Sequence, residues 1–164
     1  MPDVTITALP PVGMVALRGD PELLGRAVAE IAGPGTPAAR MRTEAQGRGL
    51  LWMSPDDLLL TCDYAEAPAL AERLAAALAG DFATVAVVSD ARAVFALEGA
   101  VEDLLARLMP VDFARLAPAE VRRSRMAQIP AAIWREGEGW RLVCFRSVAG
   151  YAEGLLHNAA PVGA

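Results

Sequence analysis

The sequence has 164 residues, 54% of them hydrophobic and 21% charged, enough to build the core of one domain or of two small halves. Its net charge of −5 opposes a nucleic-acid role, because phosphate binding needs clustered cations. All 15 basic residues are Arg, so the chain has no lysine for a Schiff base, a pyridoxal phosphate anchor or a phosphate-binding loop.

Nothing in the sequence indicates a membrane or export role. No apolar run reaches the length of about 18 residues that a membrane-spanning helix needs. The first residues, Met1-Pro2-Asp3, lack the basic start and the apolar stretch of a secretory signal. We therefore expect a soluble, cytoplasmic protein without membrane or nucleic-acid partners.

The first half of the chain predicts a β-α-β-β-α-β order of elements. Asp20-Pro21-Glu22 is typical of a helix start with Asp20 as its cap, and residues 63–66 resemble a capping box before a second helix. Residues 33–48 are predicted to be a connection, and the acidic pair Asp56-Asp57 a turn rather than an acid–base site. The predicted strands are residues 12–17, 50–53, 58–62 and 82–88.

The second half repeats the order. Its predicted strands are residues 91–98, 127–134 and 140–145. A helix follows the first of these strands, and Ser147 is predicted to cap another after the last. No strand remains after this last helix, so the run at residues 4–7 is a candidate to complete the sheet, which the sequence leaves open.

The stretch 87–99 divides the halves, with apolar residues on both sides of a Ser89-Asp90 step that predicts a turn or bulge. A shift of 80 residues places Leu17 on Leu97, and a shift of 82 places Trp52 on Trp134 and Cys62 on Cys144. We infer a duplication with pseudo-repeats at about 12–89 and 90–160. The fold class is α+β: two ferredoxin-like halves in tandem, with antiparallel sheets and helices on one face.

Motifs for catalysis or ligand binding are missing from the sequence. It has no Gly-rich dinucleotide turn, phosphate loop or nucleophile elbow. Cys62 and Cys144 lie in apolar runs, where Cys acts as a small hydrophobe, and His157 is the single histidine. We predict no catalytic, cofactor-binding or metal-binding residue on this chain.

The strongest charge feature is Arg122-Arg123-Ser124-Arg125, predicted to lie in the long connection before residue 127. Three interpretations stay open: a solvated loop, contact with a partner, or binding of a small anion. Arg forms bidentate pairs well at interfaces, so Arg122, Arg123 and Arg125 are the candidate partner interface.

Five segments, in order along the chain, resemble the gamma subunit of heterotetrameric sarcosine oxidase. For example, residues 51–59 (LWMSPDDLL) are similar to that family's L-W-x-G-P-D-E-W-L hairpin, and residues 123–134 (RSRMAQIPAAIW) to its R-T-x-x-x-x-I-P-x-x-I-W strand. The other three are residues 89–99, 109–113 and 145–151.

The resemblance implies an aminomethyltransferase-like fold and a complex with alpha, beta and delta subunits that demethylates sarcosine. It implies FAD, FMN, NAD and tetrahydrofolate for that complex, and none of them on this chain. The first hypothesis is therefore a non-catalytic structural subunit, for which we expect poor stability or self-association when it is isolated. The alternative is a free-standing folate- or small-acid-binding protein with a cleft between its halves. A small enzyme in its own right is a third hypothesis.

Overall fold

A computed structural model describes residues 4–160 of the chain, which divide into two compact units. The first unit is Pro11–Ser89, and the second joins residues 4–10 to residues 90–160. The strands are β1 (Val4–Ala8), β2 (Gly13–Arg18), β3 (Arg42–Ala45), β4 (Arg48–Ser54), β5 (Asp57–Cys62), β6 (Thr84–Val87), β7 (Arg92–Gly99), β8 (Val121–Met126), β9 (Ile129–Glu136) and β10 (Gly139–Phe145). The helices are α1 (Pro21–Ile31), α2 (Ala67–Ala77), α3 (Val101–Ala106) and α4 (Ala149–Ala159).

The first unit is a five-stranded antiparallel sheet in the order β3-β4-β5-β2-β6. Without β3 this is the ferredoxin-like arrangement, as the sequence predicts. Alternate residues of the central strands point to one face, where α1 and α2 pack on them. The fully buried residues of this core include Val15, Leu17, Leu58, Leu60, Leu24, Val28 and Leu74.

Strand β3 corrects the prediction that residues 33–48 are only a connection. Its four residues, Arg-Thr-Glu-Ala, pair with β4 at the edge of the sheet. A short polar strand has no apolar alternation to reveal it, because its existence depends on hydrogen bonds to a neighbour.

The second unit has the matching order β1-β7-β10-β9-β8, again antiparallel throughout. Strand β1 pairs with β7 over five residues, from Val4 opposite Gly99 to Ala8 opposite Phe95. The N-terminal run therefore completes this sheet. Val4 and Ile6 pack against its core, which α3 and α4 help to close.

The strand pairings within the two units correspond to each other, residue by residue. Val15 lies opposite Leu60 in the first unit, and Phe95 lies opposite Leu142 in the second. The shifts of 80 and 82 residues therefore hold for β2 with β7 and for β5 with β10. The inferred duplication stays a prediction, since register shows structural equivalence and not descent.

The match of Trp52 with Trp134 is wrong at the level of register. Leu60 lies opposite Leu50, whereas Leu142 lies opposite Ile133, a shift of 83 along β4 and β9. Strand β4 has one more residue than β9 between these pairs and the hairpin turn, because its register is irregular between Trp52 and Ser54. One residue turns a side chain to the other face, so Trp52 packs on the helix-side core while Trp134 lies on the opposite face from Ile133.

The predicted helix caps agree with the structure at one position and fail at two. The Asp20 carboxylate accepts hydrogen bonds from the backbone N–H groups of Glu22 and Leu23, at 3.0 Å each. The side chains of Asp63 and Ser147 cap no helix. A short 3₁₀ turn follows Asp63, another contains Ser147, and each of these turns precedes an α-helix. A 3₁₀ turn shifts the free N–H groups away from the expected residue.

The polar Ser89-Asp90 step between the two halves of the sequence has a structural role through Ser89. Ser89 is buried, and its Oγ accepts a hydrogen bond of 2.9 Å from the backbone N–H of Met14 on β2. The neighbouring Val88 N–H donates to the Met14 carbonyl at 2.8 Å. The Ser89 side chain thus continues the pairing beyond the end of β6, where the chain leaves the first unit.

Arg48 joins three elements of the first unit. Its Nε and Nη2 donate to the two carboxylate oxygens of Glu66, at 3.1 and 2.9 Å. Its Nη1 donates at 3.1 Å to the carbonyl of Ala32, which ends α1. The hydrogen bonds from Arg48 are the main cause that lowers the pKa of Glu66, and the backbone hydrogen bond with Asp63 contributes to the same effect.

Replacing Glu66 with Gln should destabilise the protein at neutral pH and have progressively less effect in acid. The folded-state pKa of Glu66 lies below its ordinary value of 4.5, so the stabilisation is complete above that value and is lost as the pH falls through the folded-state pKa. Urea midpoints of the wild type and Glu66→Gln at pH 7 and in the acid range measure the difference. Glu72→Gln, exposed on α2, is the control. A gap that stays constant or widens in acid would contradict the role of this pair.

Candidate partner-binding surface

The arginine cluster lies on β8 and not in a loop, which corrects the sequence prediction. Strand β8 is an edge strand, since in the described part of the chain it pairs only with β9. Its only large apolar residues are Val121 and Met126 at its two ends, so the sequence shows no strand periodicity. The pairing with the apolar strand β9 decides the structure of this segment.

The three arginines do not form one patch. Arg122 lies opposite Ile133, a residue of the helix-side core, so it shares the helix side of the sheet. Arg123 and Arg125 lie opposite Ala132 and Pro130 and share the other face, where both are exposed. Only Arg123 and Arg125 are therefore presented together to solvent.

Arg122 is engaged within its own unit. Its Nη2 donates at 2.6 Å to the buried carboxylate of Glu120, whose second oxygen accepts from the Ala117 N–H at 3.1 Å. Its Nε is buried and has no hydrogen-bond partner among residues 4–160. These contacts make Arg122 a structural residue at the start of β8.

The sulfur and acidic residues considered for chemistry have local structural partners or are buried. Burial raises the pKa of Cys62 to about 11 and also raises that of Cys144, so both thiols stay protonated at neutral pH. Asp56 accepts from the Ser54 hydroxyl at 2.8 Å, and Asp57 pairs with Arg18 at 3.4 Å. Within residues 4–160 no three metal-ligating side chains cluster, and no helix is long and apolar enough to cross a membrane.

Two of the segments singled out in the sequence meet in the second unit. The Arg146 guanidinium donates to the carbonyls of Asp90 and Arg92, at 2.7 Å each, and so ties the end of β10 to the start of β7. Arg92 in turn lies over the ring of Phe145, 4.1 Å from its centroid. The two motif segments at residues 89–99 and 145–151 therefore have a structural role, which is to join β7 to the end of β10.

Large apolar side chains are exposed at several places on the chain. Phe82 is the extreme case, with 102% relative exposure, although the sequence predicted it as part of a strand. Strand β6 begins only at Thr84, so Phe82 lies in the loop before it. Sequence reasoning missed this residue because exposure depends on what the fold leaves uncovered. Within residues 4–160 the other exposed large apolar residues are Tyr64, Val87, Phe145 and Tyr151.

Comparison with known proteins connects this fold to one family. A family model described as "Sarcosine oxidase, gamma subunit family" matches residues 18–161. The gamma subunit of sarcosine oxidase from Corynebacterium sp. (strain U-96) is 34% identical over 150 residues, covering 85% of this chain and 71% of that protein. The Arthrobacter sp. gamma subunit is 33% identical over 130 residues, covering 76% of this chain and 63% of that protein.

Solved structures agree with the sequence comparison. The heterotetrameric sarcosine oxidase from Corynebacterium sp. U-96, in complex with pyrrole 2-carboxylate, has a chain with TM-score 0.86 and 29% identity, covering 95% of this chain and 83% of that one. Aminomethyltransferase T of the glycine cleavage system from Bartonella henselae has TM-score 0.70 at 15% identity, covering 94% of this chain and 45% of that one, which shows the fold alone. The fold is α+β and aminomethyltransferase-like, and the chain belongs to the sarcosine oxidase gamma subunit family.

Proposed function

We propose that this chain is the gamma subunit of a heterotetrameric sarcosine oxidase and serves there as a structural subunit without an active site of its own. The observation that carries the proposal is the family match, which spans most of the chain, together with the fold shared at TM-score 0.86 with a chain of a heterotetrameric sarcosine oxidase. The full exposure of Phe82 supports it, because aromatic residues are enriched at protein interfaces.

The partners in this proposal are alpha, beta and delta subunits, and the complex acts in the cytoplasm. FAD, FMN, NAD and tetrahydrofolate belong to the other subunits. An architectural role agrees with the contacts on this chain. The two thiols are buried, Arg122 binds Glu120, and Asp57 of the acidic turn pairs with Arg18. Isolated from its partners, the chain is expected to self-associate through its exposed apolar residues.

Co-purification of the tagged chain from its native host tests the proposal. We expect a larger yellow complex with flavin absorbance bands, whose other subunits are identified by mass. A colourless protein that elutes alone would overturn the proposal and favour the free-standing folate- or small-acid-binding protein. The recovery obtained with the wild-type chain is also the reference for substituted chains.

We propose further that Arg123 and Arg125 contact an acidic surface of a partner subunit. Both side chains are exposed on the same face of the edge strand β8, whereas Arg122 lies on the helix side of the sheet. Charge reversal of an interface pair slows association and costs affinity, so Arg123→Glu with Arg125→Glu should lower recovery of the partner subunits by about tenfold or more.

The matched control reverses two arginines away from this strand. Arg26 on α1 and Arg73 on α2 are exposed, and Arg26→Glu with Arg73→Glu makes the same change in net charge. Equal recovery with both double variants would show that β8 carries solvated charge that only protects a sheet edge.

A further inference from the structure

The loop between α2 and β6 presents a single aromatic side chain to solvent. Phe82 is fully exposed, yet its backbone is held on both sides. The Asp81 N–H donates to the Leu78 carbonyl at 3.0 Å, and the Ala83 N–H donates to the Asp81 carbonyl at 2.9 Å. Phe82 is thus placed outward by a hydrogen-bonded turn, which reduces the entropy lost when the ring is buried by a partner.

The close approach of Gly19 supports the same turn. A Cβ on Gly19 would lie 3.0 Å from the Phe82 carbonyl oxygen, and Gly19 has a φ of +147°. The backbone of the Phe82 loop therefore packs directly on the end of β2, and only glycine combines this φ with this contact. The position of the ring is a property of the fold rather than of a loose segment.

The strand that follows is an unprotected sheet edge. Among residues 4–160, strand β6 pairs only with β2, and no charged residue occurs from Phe82 to Ser89. Thr84, Ala86 and Val87 are exposed along it. The opposite edge of the same sheet, β3, carries Arg42 and Glu44. Proteins charge or cover their edge strands to prevent unwanted pairing, so an uncharged exposed edge indicates a surface that is covered in the assembled protein.

Charge around the ring selects the kind of partner. An open groove of about 600 Å³ is lined by Phe82, by three aspartates and by one arginine: Asp20, Asp56, Asp81 and Arg18. Arg18 already pairs with Asp57 at 3.4 Å, so the rim of the groove is negative. A complementary surface offers an apolar pocket for the ring and Arg or Lys side chains for the carboxylates.

We propose that Phe82 and strand β6 form the surface by which this chain docks on another subunit, in an apolar pocket ringed by Arg or Lys. The inference rests on the proposed gamma-subunit role and adds the contact surface and the chemistry of the partner to it. Aromatic anchors at the centre of an interface carry much of the binding energy, so Phe82 is the residue whose loss should matter most.

Recovery of partner subunits by the tagged chain in the native host tests the surface. Phe82→Ala and Phe82→Glu should lower recovery of the flavin-bearing subunits about tenfold or more. Asp81→Lys should weaken recovery by charge reversal, and Ala86→Lys should do so by adding charge to the edge. Tyr64→Ala, at an aromatic residue of the same unit that is about half exposed, is the matched control and should recover them as the wild type does. Unchanged melting temperatures show that the variants fold.

A photo-crosslinking amino acid at position 82, with position 64 as the control, identifies the occupant. We expect position 82 to crosslink to a peptide of another subunit that contains Arg or Lys. Crosslinks to a second copy of this chain, or full recovery with Phe82→Glu, would overturn the inference while leaving the gamma-subunit role intact. If the wild-type chain itself recovers no flavin-bearing subunit, it is the proposed function that fails.

Discussion

Replacing Ile6 with Asp is expected to lower the free energy of unfolding by about 3 kcal/mol, through the loss of apolar burial and the desolvation of a carboxylate. Ile6 lies on β1 opposite Leu97 and packs against the core of the second unit. Because β1 is the edge that completes this sheet, its release would expose β7 and the apolar residues beneath it. Urea unfolding followed by circular dichroism and Trp fluorescence measures the loss.

Thr7→Asp on the same strand provides the matched control. Thr7 is exposed and points to the other side of β1, so the same new charge stays in solvent and should change the free energy of unfolding by less than about 1 kcal/mol. Equal losses from the two variants would show that β1 contributes through its backbone pairing alone, and no loss from Ile6→Asp would contradict the placement of β1 in the sheet.

Adding one methyl group at Gly13 should cost about 3 kcal/mol, the upper part of the usual range for overpacking. A Cβ there would lie 2.3 Å from the Asp63 carbonyl oxygen and 2.8 Å from that of Cys62. Both neighbours are backbone atoms of the chain leaving β5, so no side-chain rotation relieves the clash. The pairing of β2 with β5 must open at this point for Gly13→Ala to fold.

Gly80→Ala separates this steric effect from the general loss of a glycine. Nothing lies within 4 Å of a Cβ built at Gly80, in the same unit. Its effect should be small and is measured as a shift in the urea midpoint beside that of Gly13→Ala. Comparable shifts for the two variants would mean that the approach of β2 to Asp63 is not what requires glycine.

Patterns of local sequence were enough to predict most elements of both units. The hairpin of β4 and β5 follows from two apolar runs around a Pro-containing turn, and the start of α1 from Asp20 and Pro21. The shifts of 80 and 82 residues predict which residues of β2 and β5 correspond to those of β7 and β10. The resemblance to one family, too, was visible in five short motifs along the chain.

The candidate surfaces were harder to predict than the elements. The arginine cluster was visible as a charge feature, but only the register of β8 with β9 shows that Arg122 lies on a different face from Arg123 and Arg125. Phe82 and the uncharged edge of β6 were hidden inside an apolar run that predicted a longer strand over residues 82–88. Whether an apolar residue is covered depends on the elements around it.

Local sequence is sufficient for the order of helices and strands and for the family, because apolar periodicity, turn residues and short motifs act over neighbouring positions. Only contacts made in the folded chain explain that β1 pairs with β7 and that polar segments become the edge strands β3 and β8. The same is true of the two tryptophans: Trp52 faces the helix side of its own sheet, whereas Trp134 faces away from the helix side of its own sheet. These outcomes depend on hydrogen bonds between strands far apart in the chain and on a one-residue irregularity in register, which local patterns do not contain.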